Sequence, residues 1–200
     1  MLLLAPVFGY LLGSVPFGLV ITKLAGLGDI RDIGSGNIGA TNVLRTGRKD
    51  LALATLLLDS GKGAIAVLIV GLLTGWLALP MALAGAAAFL GHCFTVWLNF
   101  KGGKGVATFL GTLLALNFWS GLVACLIWLV TAYMTRISSL SALVAAGLTP
   151  FVMSFVIGAP VAARAAAFMA GLIFYRHREN IERIRAGTEP KIGAKKTDAS

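Results

Sequence analysis

Three stretches of this chain, 1–25, 64–81 and 138–163, are apolar over lengths that match a bilayer crossing. A transmembrane helix needs about 20 consecutive apolar residues, and a buried core helix of a soluble protein rarely runs that long. Composition agrees. Charged residues make up 12% of the 200 residues, against about a quarter in soluble domains. Mean hydropathy is +0.88. These features predict an all-α, polytopic membrane helix bundle in which residues 1–200 form one integral membrane domain.

The net charge of +9 does not indicate nucleic acid. Nucleic-acid binding needs a solvated basic face, whereas basic loops in a membrane protein point to the cytoplasmic side and to anionic lipid or ligand. Cys93 and Cys125 both sit in apolar stretches with no CxxC or His/Cys spacing, which argues against a disulfide framework or a zinc site. The N-terminal apolar run lacks a charged start and continues to Lys23, so it reads as a first span and not a signal peptide.

The expected helices lie near 2–25, 50–75 and 79–98, with two more within 138–176, broken around Gly158 and Pro160. The stretch 105–135 is long for one span and short for two, and Asn117, Ser120 and Gly121 interrupt it. Charge parity chooses between the counts. With two helices there, Arg31, Arg45, Arg48, Lys49, Lys101, Lys104, Arg136 and the basic tail 176–200, which includes Lys195 and Lys196, share one side. The expectation is therefore about seven transmembrane helices, N-terminus out and C-terminus in. Arg164 is the exception, early in the last span, where it can snorkel to headgroups.

Three polar segments then fall on one face. The first contains Gly34, Ser35, Gly36, Asn37, Gly39, Thr41, Asn42 and Arg45. Its formal GxGxxG is not a dinucleotide fingerprint, because membrane helices flank it in place of a βαβ unit. Its glycines still allow backbone N–H groups to close on an anion, and Arg45 can grip a phosphate with two parallel hydrogen bonds. The second segment holds Lys101, Gly102, Gly103, Lys104, Gly105 and Thr108 before an apolar helix, a natural anion site although not a Walker A loop. The third carries His177 and Asn180, three apart and so on one helical face, then Glu189. Read alone, it is better explained as a solvated, salt-bridged helix end. His92, Asp59 and Lys62 lie inside spans, and their roles stay open between structural and functional.

Together, GSGNIGATNVLR at 34–45, KGGKGVAT at 101–108, and His177 with Asn180 and Glu189 resemble the bacterial acyl-phosphate:glycerol-3-phosphate acyltransferases, as do LDSGKG at 58–63 and GHCF at 91–94. Thr95 departs from the proline expected in many relatives. The resemblance spans nearly the whole chain. It implies a multi-pass enzyme of the bacterial cytoplasmic (inner) membrane with its active site on the cytoplasmic side. The reaction it implies is acyl transfer from acyl phosphate to the 1-hydroxyl of glycerol 3-phosphate, the first step of phospholipid synthesis, giving 1-acylglycerol 3-phosphate and phosphate. It further implies catalytic roles for Ser35, Arg45, Lys104, His177 and Asn180, a phosphate-binding loop at Gly102, Gly103 and Gly105, and a structural role for Glu189. No metal or other cofactor is expected. Membrane lipids and the soluble enzyme that makes acyl phosphate are the partners implied, with no nucleic acid. The HxxxxD signature of other glycerol-phosphate acyltransferases is absent: Glu182 and Trp97 stand at that offset from His177 and His92. The alternative is a transporter of an organic phosphate, which would place its site near the midplane of broken, repeated helices.

Overall fold

The computed structural model describes residues 3–193, and all regular secondary structure among them is helical. Lys195, Lys196 and the rest of the expected tail beyond residue 193 lie outside the described residues. The helices are α1 (Leu4–Gly13), α2 (Phe17–Leu24), a short α3 (Ala40–Val43), α4 (Lys49–Thr74), α5 (Ala78–Cys93), α6 (Val106–Leu116), α7 (Phe118–Thr135), α8 (Ser138–Phe151), α9 (Pro160–Arg176) and α10 (Arg178–Arg185).

Among the described residues five stretches are long and apolar enough to cross a membrane: Leu4–Leu24, Lys49–Thr74, Ala78–Leu98, Phe118–Thr135 and Ser138–Val156. α6 has 11 residues and α9 has 17, so both fall short by length. The break expected within 105–135 is present. Asn117 adopts an extended conformation, and its side chain accepts from the Ser120 N–H at 2.9 Å, which caps α7.

Two boundaries differ from expectation. The first span is two helices, because Pro16 lacks an N–H and cannot continue α1. The third helix ends at Cys93, not near 98, and a 3₁₀ turn at Val96–Leu98 follows. Near the end of α8, Pro150 precedes a π-turn at Val152–Val156.

Lipid tails are as apolar as leucine, so membrane helices associate mainly through close packing of small residues. Gly9 and Gly13 of α1 lie against the backbone of Ala84 and Ala88 of α5, with no room for a Cβ. Phe89, Phe109, Leu113, Met153, Met169 and Ile173 fill the centre. Leucines such as Leu72 and Leu129 face outward. Exposed Trp76, Phe118 and Trp119 ring one end, and Trp97, Phe100, Tyr133 and Tyr175 ring the other, as in interfacial aromatic belts.

Consecutive long helices pack antiparallel. That order brings the starts of α4, α6 and α8 and the ends of α2, α5, α7 and α9 to a single end of the bundle. All three polar segments connect at that end.

Candidate active site

The loop between α5 and α6 is folded against the end of α5. Asn99 and Phe100 take positive φ values of 50° and 61°, turning the chain back. The Gly102 N–H then donates to Cys93 O at 3.1 Å, and the Gly103 N–H donates to His92 O at 3.0 Å. These two amides, expected to face an anion, are thus occupied. The N–H groups from Lys104 to Ala107 have no acceptor among the described residues, and they sit at the positive end of the α6 dipole. Arg176 clamps the loop from the other side, donating to Gly102 O at 2.7 Å and Gly103 O at 3.1 Å while its guanidinium lies over the Phe94 ring.

Lys104 joins this loop to the third segment. Its Nζ donates to Asn180 Oδ1. The amide of Asn180 donates to Glu189 Oε1 at 2.6 Å, Ser139 Oγ donates to the same oxygen at 2.6 Å, and Arg183 Nε donates to Oε2 at 2.7 Å. Burial works against the Glu189 charge, but the hydrogen bonds from Ser139, Asn180 and Arg183 outweigh it and hold the carboxyl below the usual range. Burial, followed by the nearby Arg183, lowers the Lys104 ammonium below the ordinary lysine value.

His177 is 3% exposed, at the junction of α9 and α10. Its Nδ1 lies 2.8 Å from Ile173 O. A carbonyl only accepts, so Nδ1 carries the proton and Nε2 presents a lone pair. Burial lowers its pKa to about 4, so the ring is neutral at physiological pH. The charge-rich run around it had read as a solvated helix end. Its inward face is buried instead, with both His177 and Asn180 inside.

The first segment is more open. Ser35 and Arg45 are exposed, and Arg45 passes over Gly34, whose φ is +57°. Asn42 is 1% exposed and organises the turn: its amide donates to Ile30 O at 2.8 Å and Ile33 O at 3.1 Å, and its Oδ1 accepts from the Ser35 N–H at 3.1 Å. Among the described residues no His or carboxylate is hydrogen-bonded to Ser35. Thr41 lies 3.4 Å from Ser138 Oγ, so the first turn of α8 touches the first segment through Ser138 and the third through Ser139.

Two residues expected to face substrate are placed otherwise. The Thr108 hydroxyl is buried and donates to Asp59 O at 2.8 Å, and the Asn42 amide is used on backbone carbonyls. Gly34, Gly36, Asn37, Gly39 and Lys101 lie on exposed or half-exposed loops, and Thr41 is exposed on α3. Sequence reasoning missed Ser139, Arg183 and Arg176. The two arginines had counted only as topology charges, and the available signal for Ser139 was a serine pair at a helix start. Among the described residues no group of three His, Cys, Asp or Glu is placed to hold a metal.

Comparison with known proteins places the geometry in context. A family model described as glycerol-3-phosphate acyltransferase matches residues 3–187. The chain is similar to the glycerol-3-phosphate acyltransferase of Jannaschia sp. (strain CCS1), 62% identical over 190 residues, covering 95% of this chain and 92% of that protein. It is likewise similar to that of Cereibacter sphaeroides (strain ATCC 17025 / ATH 2.4.3), 61% identical over 194 residues, covering 97% and 91%. The crystal structure of PlsY (YgiH), an integral membrane glycerol 3-phosphate acyltransferase, in its glycerol 3-phosphate form, superposes with a TM-score of 0.89 at 40% identity, covering 96% of each chain. Its lysophosphatidic acid form gives 0.87 at 40% identity, covering 96% of this chain and 95% of that one.

Proposed function

Because this chain belongs to the glycerol-3-phosphate acyltransferase family and is a membrane acyltransferase, we propose that it moves a fatty acyl group from acyl phosphate to the 1-hydroxyl of glycerol 3-phosphate. The products are 1-acylglycerol 3-phosphate and inorganic phosphate, in the first step of phospholipid synthesis. Both substrates carry phosphate, so the site must balance roughly four negative charges at neutral pH. The observation that carries the reading is the continuous polar chain from Lys104 through Asn180 to Glu189, set beside the unpaired N–H groups at the start of α6. It offers one cation, one amide and a helix N-terminus in a fixed arrangement suited to phosphate.

The transfer is direct. The glycerol hydroxyl oxygen attacks the acyl carbonyl carbon, the C–O bond to phosphate breaks, and phosphate leaves with that electron pair. Lys104 and Arg45 hold phosphate and offset its charge, and Ser35 donates a hydrogen bond to substrate or to the developing oxyanion. The hydroxyl proton passes to a phosphate oxygen of the donor. A phosphate oxygen with a second pKa of about 6 is a stronger base than His177, whose pKa burial lowers to about 4. His177 Nε2 then accepts a hydrogen bond and orients the attacking hydroxyl.

The chain is one integral membrane domain crossing the inner membrane seven times, with the shorter α6 and α9 counted as crossings beside the five long spans, N-terminus out, C-terminus and basic tail in, and the site facing the cytoplasm, where the soluble enzyme making acyl phosphate can deliver it. The one-sided Lys/Arg distribution and the two aromatic belts support this arrangement. Single cysteines near Gly36, Gly103 and Ala186 should all be labelled from the cytoplasmic side only; labelling of any of them from outside intact cells contradicts the topology. The reaction is tested with purified protein in detergent, acyl phosphate and labelled glycerol 3-phosphate, without coenzyme A or metal. Labelled lysophosphatidic acid is expected, and activity with acyl-coenzyme A alone would refute the donor assignment.

A further inference from the structure

Three buried ionisable side chains take no part in the chemistry just described. Asp59, Lys62 and His92 are 2%, 2% and 4% exposed and lie within α4 and α5, beneath the loop. Lys62 Nζ donates to Asp59 Oδ1 at 2.8 Å and to Val15 O at 2.9 Å, the carbonyl just before Pro16 in the break between α1 and α2. Asp59 O accepts from Thr108 in the first turn of α6. Among the described residues buried His92 Nδ1 has no hydrogen-bond partner, and Asp59 Oδ1 stands 3.6 Å from it. Ionisable groups inside a membrane span are costly and are kept for a reason.

The other edge of His92 supplies the reason. A Cβ built on Gly103 would overlap His92 Nε2, so the imidazole forms the surface on which the loop lies. The His92 carbonyl also accepts the Gly103 N–H at 3.0 Å. The Cβ directions of the other loop glycines repeat the pattern: at Gly102 a Cβ would meet the His92 and Cys93 carbonyls, and at Gly105 it would meet the Phe89 ring. The glycines of the loop are therefore demanded by α5 beneath it.

We propose that His92, held from behind by the Asp59–Lys62 pair, is the positioning residue of the phosphate loop. The ion pair fixes α4 to the α1–α2 break on one side and, through Asp59, faces the His92 ring on the other. The ring sets the height of Gly103, and with it the placement of the Lys104 ammonium and the N–H groups that begin α6. The inference rests on reading 101–105 as the phosphate loop.

The test is steady-state kinetics of purified wild type, H92A, G103A, the double variant H92A/G103A, and H92N. Inorganic phosphate is included as a competing ligand. Loss of the ring should raise KM for glycerol 3-phosphate and the inhibition constant for phosphate about tenfold, with kcat changed less than about threefold, the pattern of a misplaced binding group. G103A should be strongly impaired in wild type but cost at least about fivefold less in the H92A background, since the methyl then has the space the ring vacated. H92N keeps a nitrogen facing Asp59 but withdraws from Gly103. It should fold, show the same raised KM, and relieve G103A in the same way, so a failure of H92A to fold leaves the question decidable. Wild-type KM in H92N, or an undiminished G103A penalty in both His92 backgrounds, would overturn the proposal. If wild type neither uses acyl phosphate nor is inhibited by phosphate, the phosphate-loop reading itself has failed; normal wild-type values with indifferent His92 variants sink the positioning role alone.

Discussion

The segment 34–45 and the joined segments 101–105 and 177–189 carry similar chemistry in opposite physical states. Ser35 and Arg45 stand at the surface, and the hydrogen bonds of their segment run mostly within it, through Asn42. Lys104, Asn180 and Glu189 belong to one chain of hydrogen bonds that crosses α6, α8 and α10, and Arg176 ties the loop to α9. The difference separates two ways of building the phosphate site we propose. One side is assembled before substrate arrives, so little reorganisation is left for the reaction. The other leaves Arg45 exposed and the Ser35 hydroxyl on one long hydrogen bond, 3.4 Å to Asn42 Oδ1, so most of their contribution appears only when substrate is bound.

Substitutions on the two sides should therefore fail differently. Lys104→Ala has the largest expected effect, a loss of about 10³ in kcat/KM, because it removes the charge and also leaves Asn180 Oδ1 without its donor. Ser35→Ala should cost roughly 10²-fold in kcat with little change in thermal midpoint, since the hydroxyl makes only a long hydrogen bond, 3.4 Å to Asn42 Oδ1, and the Ser35 N–H still donates to that oxygen. A Ser35→Ala protein that unfolds early would erase the contrast. Glu189→Gln should reverse that pattern. It removes a carboxylate that accepts from three donors and should destabilise by about 2–3 kcal/mol, read by thermal unfolding in detergent, with activity falling as the site loosens. Ser139→Ala removes one of those donors and should cost about 1 kcal/mol.

The pH dependence sharpens the contrast least in size but most in sign. Burial lowers His177 to about 4 from 6.5, so the unfolded chain takes up that proton first. Stability from this group is complete above about 6.5 and is lost as pH falls from there toward 4. Glu189, held below its ordinary 4.5, contributes stability above that value that disappears as pH falls through its folded pKa. Activity should consequently show no His177 titration between about pH 6 and 8, and the same profile should remain in His177→Ala. A midpoint near 6.5 in kcat that His177→Ala abolishes would restore the ring as the base.

Much of this arrangement was legible in the residues. Lys104 among glycines ahead of an apolar run marked a helix start that favours anions, and Asn117 marked the break within 105–135. What stayed hidden has physical causes. The apolar run before Lys23 concealed the break at Pro16, because hydropathy does not register a missing N–H. Gly102 and Gly103 looked like phosphate-facing backbone, but a sequence does not say which side of a loop is occupied, and here the carbonyls of α5 take it. The burial of His177 and Asn180 was masked by Arg178, Glu179 and Glu182, which occupy the exposed face of the same short helix.

The transfer we propose is direct, with Ser35 as a donor of hydrogen bonds and not a nucleophile. It is tested by mixing the purified protein with acyl-labelled acyl phosphate without glycerol 3-phosphate, quenching over the time of one turnover, and measuring label retained on the protein. No covalent label above that of the Ser35→Ala variant is expected. An acyl ester on Ser35 formed as fast as turnover, and discharged by adding glycerol 3-phosphate, would contradict the account.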